Sequence, residues 1–162
     1  IFILYICSEF LHNHCLNKKM MVRNIFIASD HAGFLLKKII SKSLIKKGIN
    51  ICDLGPKNNN SVDYPDFAHL LAKKMKKQKN NLGILVCGSG VGMSMAANRH
   101  KNIRAALCYN ERSAKLSRKH NNANVIAIGS RLTKKSVALR CINAFLSTDF
   151  EGGRHLRRIR KI

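Results

Sequence analysis

From Val22 onward, apolar runs of strand length alternate with amphipathic runs of helix length, and no other feature of the chain restricts its fold so tightly. The strand-like runs fall at 22–28, 49–54, 82–87, 103–108 and 124–128. Helical patterns lie at about 33–47, 65–79, 91–100, 111–120 and 133–147. Such β-α alternation closes through right-handed crossovers, which lay the strands parallel and cover both faces with helices. The expected class is therefore α/β: a three-layer α/β/α sandwich on a five-stranded, parallel, doubly wound, Rossmann-like sheet. Beyond its last helix the chain reads as a short basic tail from Glu151 to Arg158 with no apolar period.

Ligands of such sheets bind beyond the carboxyl ends of the strands. Strand one runs into Ser29-Asp30-His31-Ala32-Gly33 and strand two leads to Asp63-Tyr64-Pro65. Strand three ends in Cys87-Gly88-Ser89-Gly90-Val91-Gly92, strand four in Tyr109-Asn110-Glu111 and strand five in Gly129-Ser130-Arg131. One rim thus collects an acid, an imidazole, a phenol, a thiol and a guanidinium.

The turn after strand three says most about chemistry. Its three glycines leave backbone N–H groups uncovered, and a helix starting near Val91 points its positive end into the same space, so an anion fits beside Cys87. Helix N-termini favour the anionic form of a thiol, which suits a base or a nucleophile. The turn is not the dinucleotide fingerprint, because the third glycine comes one position early, Met93 takes its place, and the turn follows the third strand. Nor is it a phosphate-binding loop with Gly-Lys-Ser/Thr.

Each candidate has a plainer reading. Cys87 can be a small core residue, and Asp30 a helix N-cap that leaves His31 free. His120-Asn121 closes a helix, where the dipole favours a histidine without any function. Arg154 and Arg158 stand four apart, which suits gripping one phosphate, yet a solvated basic tail carries the same residues.

The 162 residues, 46% hydrophobic, fit one domain of common size. Six cysteines without a C-x-x-C pair argue against a zinc site or a disulfide framework and for a reducing compartment. The net charge of +22 raises nucleic-acid binding, but the lysines fall on helical faces and the chain has no Trp and only 3 Tyr to stack bases. A specific nucleic-acid partner is not expected. Residues 1–21 do not resemble the rest. Their apolar run, Ile1 to Ile6, is too short for a membrane span and lacks the flanks of a signal peptide. Met20-Met21 falls directly before the first strand, so residues 1–19 are expected to be an upstream extension, disordered or the product of a misassigned start, with 22–162 a single domain.

Together, Asp30-His31-Ala32-Gly33, Asp63-Tyr64-Pro65, Cys87-Gly88-Ser89-Gly90-Val91-Gly92, Ser117-Arg118-Lys119-His120-Asn121, Gly129-Ser130-Arg131 and Glu151-Gly152-Gly153-Arg154-His155 resemble the type B ribose-5-phosphate isomerase family, which also contains subunits of galactose-6-phosphate isomerase. The resemblance implies a cytoplasmic aldose-ketose isomerase of the pentose phosphate pathway. It implies a cis-enediolate intermediate, with no metal or organic cofactor. It makes Cys87 the carbon base, with Ser89 and the N–H groups of Gly88, Gly90, Val91 and Gly92 facing the enediolate. Ser89 stands where many members carry Thr and keeps the hydroxyl. His120 would open the furanose ring. Asp30, His31 and Asn121 would bind the sugar phosphate, Tyr64 would line the pocket, and Arg131, Arg154 and Arg158 would contact the phosphate. Homodimers or homotetramers with shared sites are implied, so that His120 serves a partner's Cys87. A six-carbon substrate such as galactose 6-phosphate or allose 6-phosphate is the alternative.

Overall fold

The computed structural model describes residues 24–76 and 80–162. The expected extension at 1–21, the first two residues of the expected first strand, and the last three of the second helical pattern lie outside them. Five parallel strands form one sheet: β1 (Ile25–Ser29), β2 (Ile51–Asp53), β3 (Leu82–Cys87), β4 (Ala105–Leu107) and β5 (Val125–Gly129), in the order β2-β1-β3-β5-β4. Among the described residues six helices accompany it: α1 (Phe34–Ile45), α2 (Tyr64–Lys76), α3 (Val91–Ala97), α4 (Glu111–Asn121), α5 (Lys135–Ser147) and α6 (Gly153–Ile159).

The alternation of side chains along each strand divides the core in two. Ile25, Ile27, Ile84, Val86, Ile126 and Ile128 pack with Leu36, Ile40 and Leu44 of α1, Ala114 of α4, and Cys141, Ile142 and Phe145 of α5. Phe26, Ala28, Leu85, Cys87, Val125 and Ala127 pack with Ala68, Leu71 and Met75 of α2 and Met93 and Ala97 of α3. Neighbouring strands β1 and β3 therefore send their following helices to opposite faces. The crevice this opens at their carboxyl ends is the expected ligand position.

The outer strands are shorter than their apolar runs, three residues each, because an edge strand has one partner and is only partly covered. α3 stops at Ala97 rather than near residue 100. Asn98 caps it and pairs its side chain both ways with the backbone of Ala105, at 2.9 and 2.7 Å, which turns the chain into β4. α5 starts at Lys135, since Thr133 is still bonded back to Gly129. The basic tail is in fact helical. α6 lacks an apolar period because the residue it buries is His155, 7% exposed, rather than a hydrocarbon.

Candidate active site

Cys87 is the last residue of β3, 4% exposed, and its Sγ accepts a hydrogen bond from the Gly90 N–H at 3.0 Å. The turn needs glycine at 90, whose φ is +81° and whose β-carbon would come within 2.5 Å of Leu107 Cδ1. Gly129, the register partner of Cys87, lets the Ser89 carbonyl pass where a β-carbon would block it. Ser130 N–H donates to Cys87 O at 2.8 Å and Arg131 N–H to Gly88 O at 3.0 Å, so the loops after β3 and β5 are tied together. The Arg131 side chain lies along Gly88, its Nη1 3.5 Å from where a β-carbon would stand. Ser89 Oγ accepts from the Val91 N–H at 3.3 Å, which leaves its own proton free to donate. Tyr64 opens α2 and lays its ring over Gly92, whose β-carbon would be 2.6 Å from ring carbons and 2.9 Å from the hydroxyl.

Asp30 is 7% exposed and accepts the Gly33 N–H on Oδ1 at 2.7 Å. That bond closes the turn before α1, whose N-cap position is held by Gly33 without a side-chain cap, so Asp30 is not the helix cap, and that oxygen is engaged. His31 is half-buried beside it, with Nδ1 3.3 Å from both the backbone N and O of Val62. The loop between β2 and α2 thus orients the imidazole. That loop is anchored by a residue the sequence reading missed: Lys37 of α1, 1% exposed, reaches Asp53 Oδ1 at 2.6 Å and Pro56 O at 2.9 Å. A lysine in an otherwise apolar helical stripe was the available signal.

His120, Asn121, Arg154 and Arg158 are not brought to Cys87. α4 descends from the carboxyl end of β4 to the start of β5, so its last residues lie at the opposite end of the strands. There the His120 ring stacks on His155, centroids 4.2 Å apart and planes 6° apart. Both Nε2 atoms approach Glu151 Oε2, at 3.7 and 3.6 Å, while Lys119 Nζ stands 3.3 Å from Glu151 Oε1. Burial, then the positive fields of His120 and Arg154, lowers the His155 pKa; the hydrogen bond from Lys119 lowers that of Glu151. Arg154 and Arg158 stand exposed one turn apart on α6. Sequence reading passed over Glu151 and His155 as partners, although they stand four apart near His120.

Cys108 and Cys141 are buried between the sheet, α4 and α5, and burial raises both pKa values, Cys141 to about 11. Near neutral pH they stay protonated.

The site on the rim thus offers a thiol in a glycine turn, with a phenol and a guanidinium close by. The model of the ribose/galactose isomerase family matches residues 25–162. A solved ribose-5-phosphate isomerase B from Mycoplasma genitalium, with bound ribulose-5-phosphate, is similar at 52% identity and a TM-score of 0.83, covering 87% of this chain and 94% of that one. The Thermotoga maritima enzyme is 48% identical with a TM-score of 0.84, over 86% and 96% of the two chains. Ribose-5-phosphate isomerase B of Escherichia coli is 40% identical over 141 residues, 87% of this chain and 95% of its own length.

Proposed function

This chain belongs to the ribose/galactose isomerase family, and from that membership we propose that it interconverts D-ribose 5-phosphate and D-ribulose 5-phosphate by proton transfer at Cys87. The observation that carries the reading is the Cys87 sulfur at the mouth of the β1–β3 crevice, bonded by the Gly90 N–H.

In the open-chain aldose the C1 carbonyl acidifies the proton on C2. The Cys87 thiolate takes that proton, the electron pair becomes the C1–C2 double bond, and negative charge gathers on the former carbonyl oxygen. The Ser89 hydroxyl and the N–H of Gly92 in the first turn of α3 face that charge, while the Gly90 and Val91 N–H groups already donate to Cys87 Sγ and Ser89 Oγ. Delivery of that proton from Cys87 to C1, as the C2 hydroxyl proton passes to the oxygen on C1, yields the ketose. The atoms balance without a cofactor.

His31 and Asp30 bind the sugar phosphate, Tyr64 walls the pocket and Arg131 meets the phosphate end. The remaining groups come from a second subunit. His120 opens the ring, Asn121 binds the sugar and Arg154 and Arg158 grip the phosphate, which their position at the far end of the sheet supports. The unit is a homodimer or a pair of them. Residues 22–162 act as one domain, placed in the cytoplasm and the non-oxidative pentose phosphate pathway. No helix among the described residues is long and apolar enough to cross a membrane.

Conversion of ribose 5-phosphate is expected to persist in excess chelator. Cys87→Ala is expected to lose about 10²–10⁴-fold in kcat while still binding a phosphosugar. A fully active Cys87→Ala overturns the role of the thiol. Higher kcat/KM on galactose 6-phosphate than on ribose 5-phosphate replaces the proposed substrate with a six-carbon one.

A further inference from the structure

The last carbonyls of a helix have no partner within it, and at the end of α4 several are met from elsewhere in the chain. Arg118 O accepts the N–H of Asn122, where the chain turns away at φ +45°, and Lys119 O accepts the N–H of Glu151 at 3.0 Å. Asn121 O is met by a side chain: Arg104 Nε donates to it at 3.1 Å and to Asn122 O at 3.0 Å. Arg104 stands directly before β4 and is itself tied to the start of β5. Its N–H donates to Asn124 Oδ1 at 2.8 Å, and its carbonyl accepts the N–H groups of Asn124 and Val125 at 3.1 and 3.3 Å. The guanidinium therefore links the sheet to the residues that close α4, and those are His120 and Asn121. We propose that Arg104 is a positioning residue for the isomerase reaction, holding His120 and Asn121 where a second subunit's substrate meets them; the role rests on the proposed function.

The donor suits the task. A guanidinium stays charged near neutral pH even though burial lowers the Arg104 pKa, and a cation is favoured at a helix C-terminus, where the carbonyl dipoles gather negative charge. The Asn121 side chain is exposed, so the backbone bond to Arg104 is what places it. Stacking on His155 fixes the plane of the His120 ring but leaves the backbone of this last turn to other contacts. Without the guanidinium, two carbonyls lose their donor at the end of the helix most prone to fray. A misplacement of about 1 Å at a reacting group costs about 10²-fold in rate. Ring opening, the step given to His120, is where that loss falls, while the proton transfer at Cys87 is untouched.

Arg104→Met keeps the stem and removes the donors. On ribose 5-phosphate, which arrives as a furanose, kcat is expected to fall at least about tenfold. Ribulose 5-phosphate carries its phosphate on O5 and cannot close a furanose, so Cys87 acts on it without ring opening. In D₂O, Cys87 takes a C1 hydrogen, its thiol exchanges with solvent, and the enediolate takes deuterium back at C1. At saturating ribulose 5-phosphate this exchange is expected to stay within about threefold of the natural chain's. Arg104→Lys, a cation that meets one carbonyl at a time, is expected to lose less turnover than Arg104→Met, and it reads the same split where Arg104→Met does not fold. Full turnover in Arg104→Met, or turnover and exchange falling together, overturns the role. Mixed dimers locate the defect: with Cys87→Ala, Arg104→Met is expected to recover about a quarter of natural activity, and with His120→Asn to gain nothing. No gain with Cys87→Ala, or a gain with His120→Asn, overturns action through the same subunit's His120. An unaltered chain that converts no ribose 5-phosphate overturns the proposed function, whereas an active chain indifferent to Arg104→Met overturns this role alone.

Discussion

Gly92 shows how much one missing side chain does at this site. The Tyr64 ring occupies the space a β-carbon would take, so the turn and α2 close over the same pocket wall. In Gly92→Ala the ring, 41% exposed, is the part free to move. The expected result is a fall in kcat/KM on ribose 5-phosphate, carried mainly by KM, with stability changed by less than about 1 kcal/mol. Steady-state kinetics beside a thermal melt check it. Gly33 behaves differently, because a β-carbon there runs into the backbone carbonyl of Val86, which the sheet holds in place. Gly33→Ala is expected to cost about 2–4 kcal/mol, read as a lowered denaturant midpoint. The glycine spacing was visible in the sequence. What each glycine makes room for was not, since Tyr64, Leu107 and Val86 reach those positions only through the fold.

Between elements, buried polar contacts hold the pieces that frame the site. Lys37 joins α1 to the loop after β2, and the far end of that loop orients His31. Lys37→Met leaves the Pro56 carbonyl without its donor and is expected to cost about 1–3 kcal/mol. A raised KM should accompany the loss, since His31 is loosened with the loop; a melt and a substrate titration read both. The α2–α3 junction carries a pH response. His69 Nδ1 and His100 Nε2 are 2.8 Å apart, a bond that requires one ring to be unprotonated. Burial, followed by the fields of His69 and Lys73, lowers the His100 pKa below 6.5. The unfolded chain therefore takes up this proton first. The contribution is intact above pH 6.5 and is lost as pH falls toward the folded value. Between about pH 7.5 and about pH 5.5, the melting temperature of the natural chain is expected to fall further than that of His100→Gln.

At the scale of the whole molecule, the proposed site is divided. Cys87 and Tyr64 stand at the carboxyl ends of the strands, His120 and Arg154 at the amino ends, with the sheet between them. The proposed two-fold dimer would restore both sites by placing one end of each subunit against the other end of its partner. Cys87→Ala and His120→Asn subunits are each expected to be inactive alone. Co-expressed or refolded together, they should recover about a quarter of natural activity, because half of the dimers are mixed and each mixed dimer holds one intact site. No recovery despite proven mixed dimers means that both residues serve the same subunit's site. The order of elements and the parallel sheet were legible because strand and helix periods are local properties of the chain. So was the composition of the rim, because each motif follows directly on a strand. The ends of the edge strands and of α3 were not legible, since sheet position and the Asn98–Ala105 pairing decide them.

The amino-acid order alone determined the layered α/β class, the thiol in its glycine turn and the resemblance to a family, all of them matters of period and of spacing within a few residues. Tertiary structure alone decided the rest. A crossover helix that spans the sheet carries its last residues to the far end of the strands, which is why His120 and Asn121 stand apart from Cys87. The same packing folds residues 153–159 into a helix, buries His155 under His120 and brings Glu151 to both. The contacts of His120 with Glu151 and His155 join residues some thirty positions apart, a distance over which no local pattern in the chain reports.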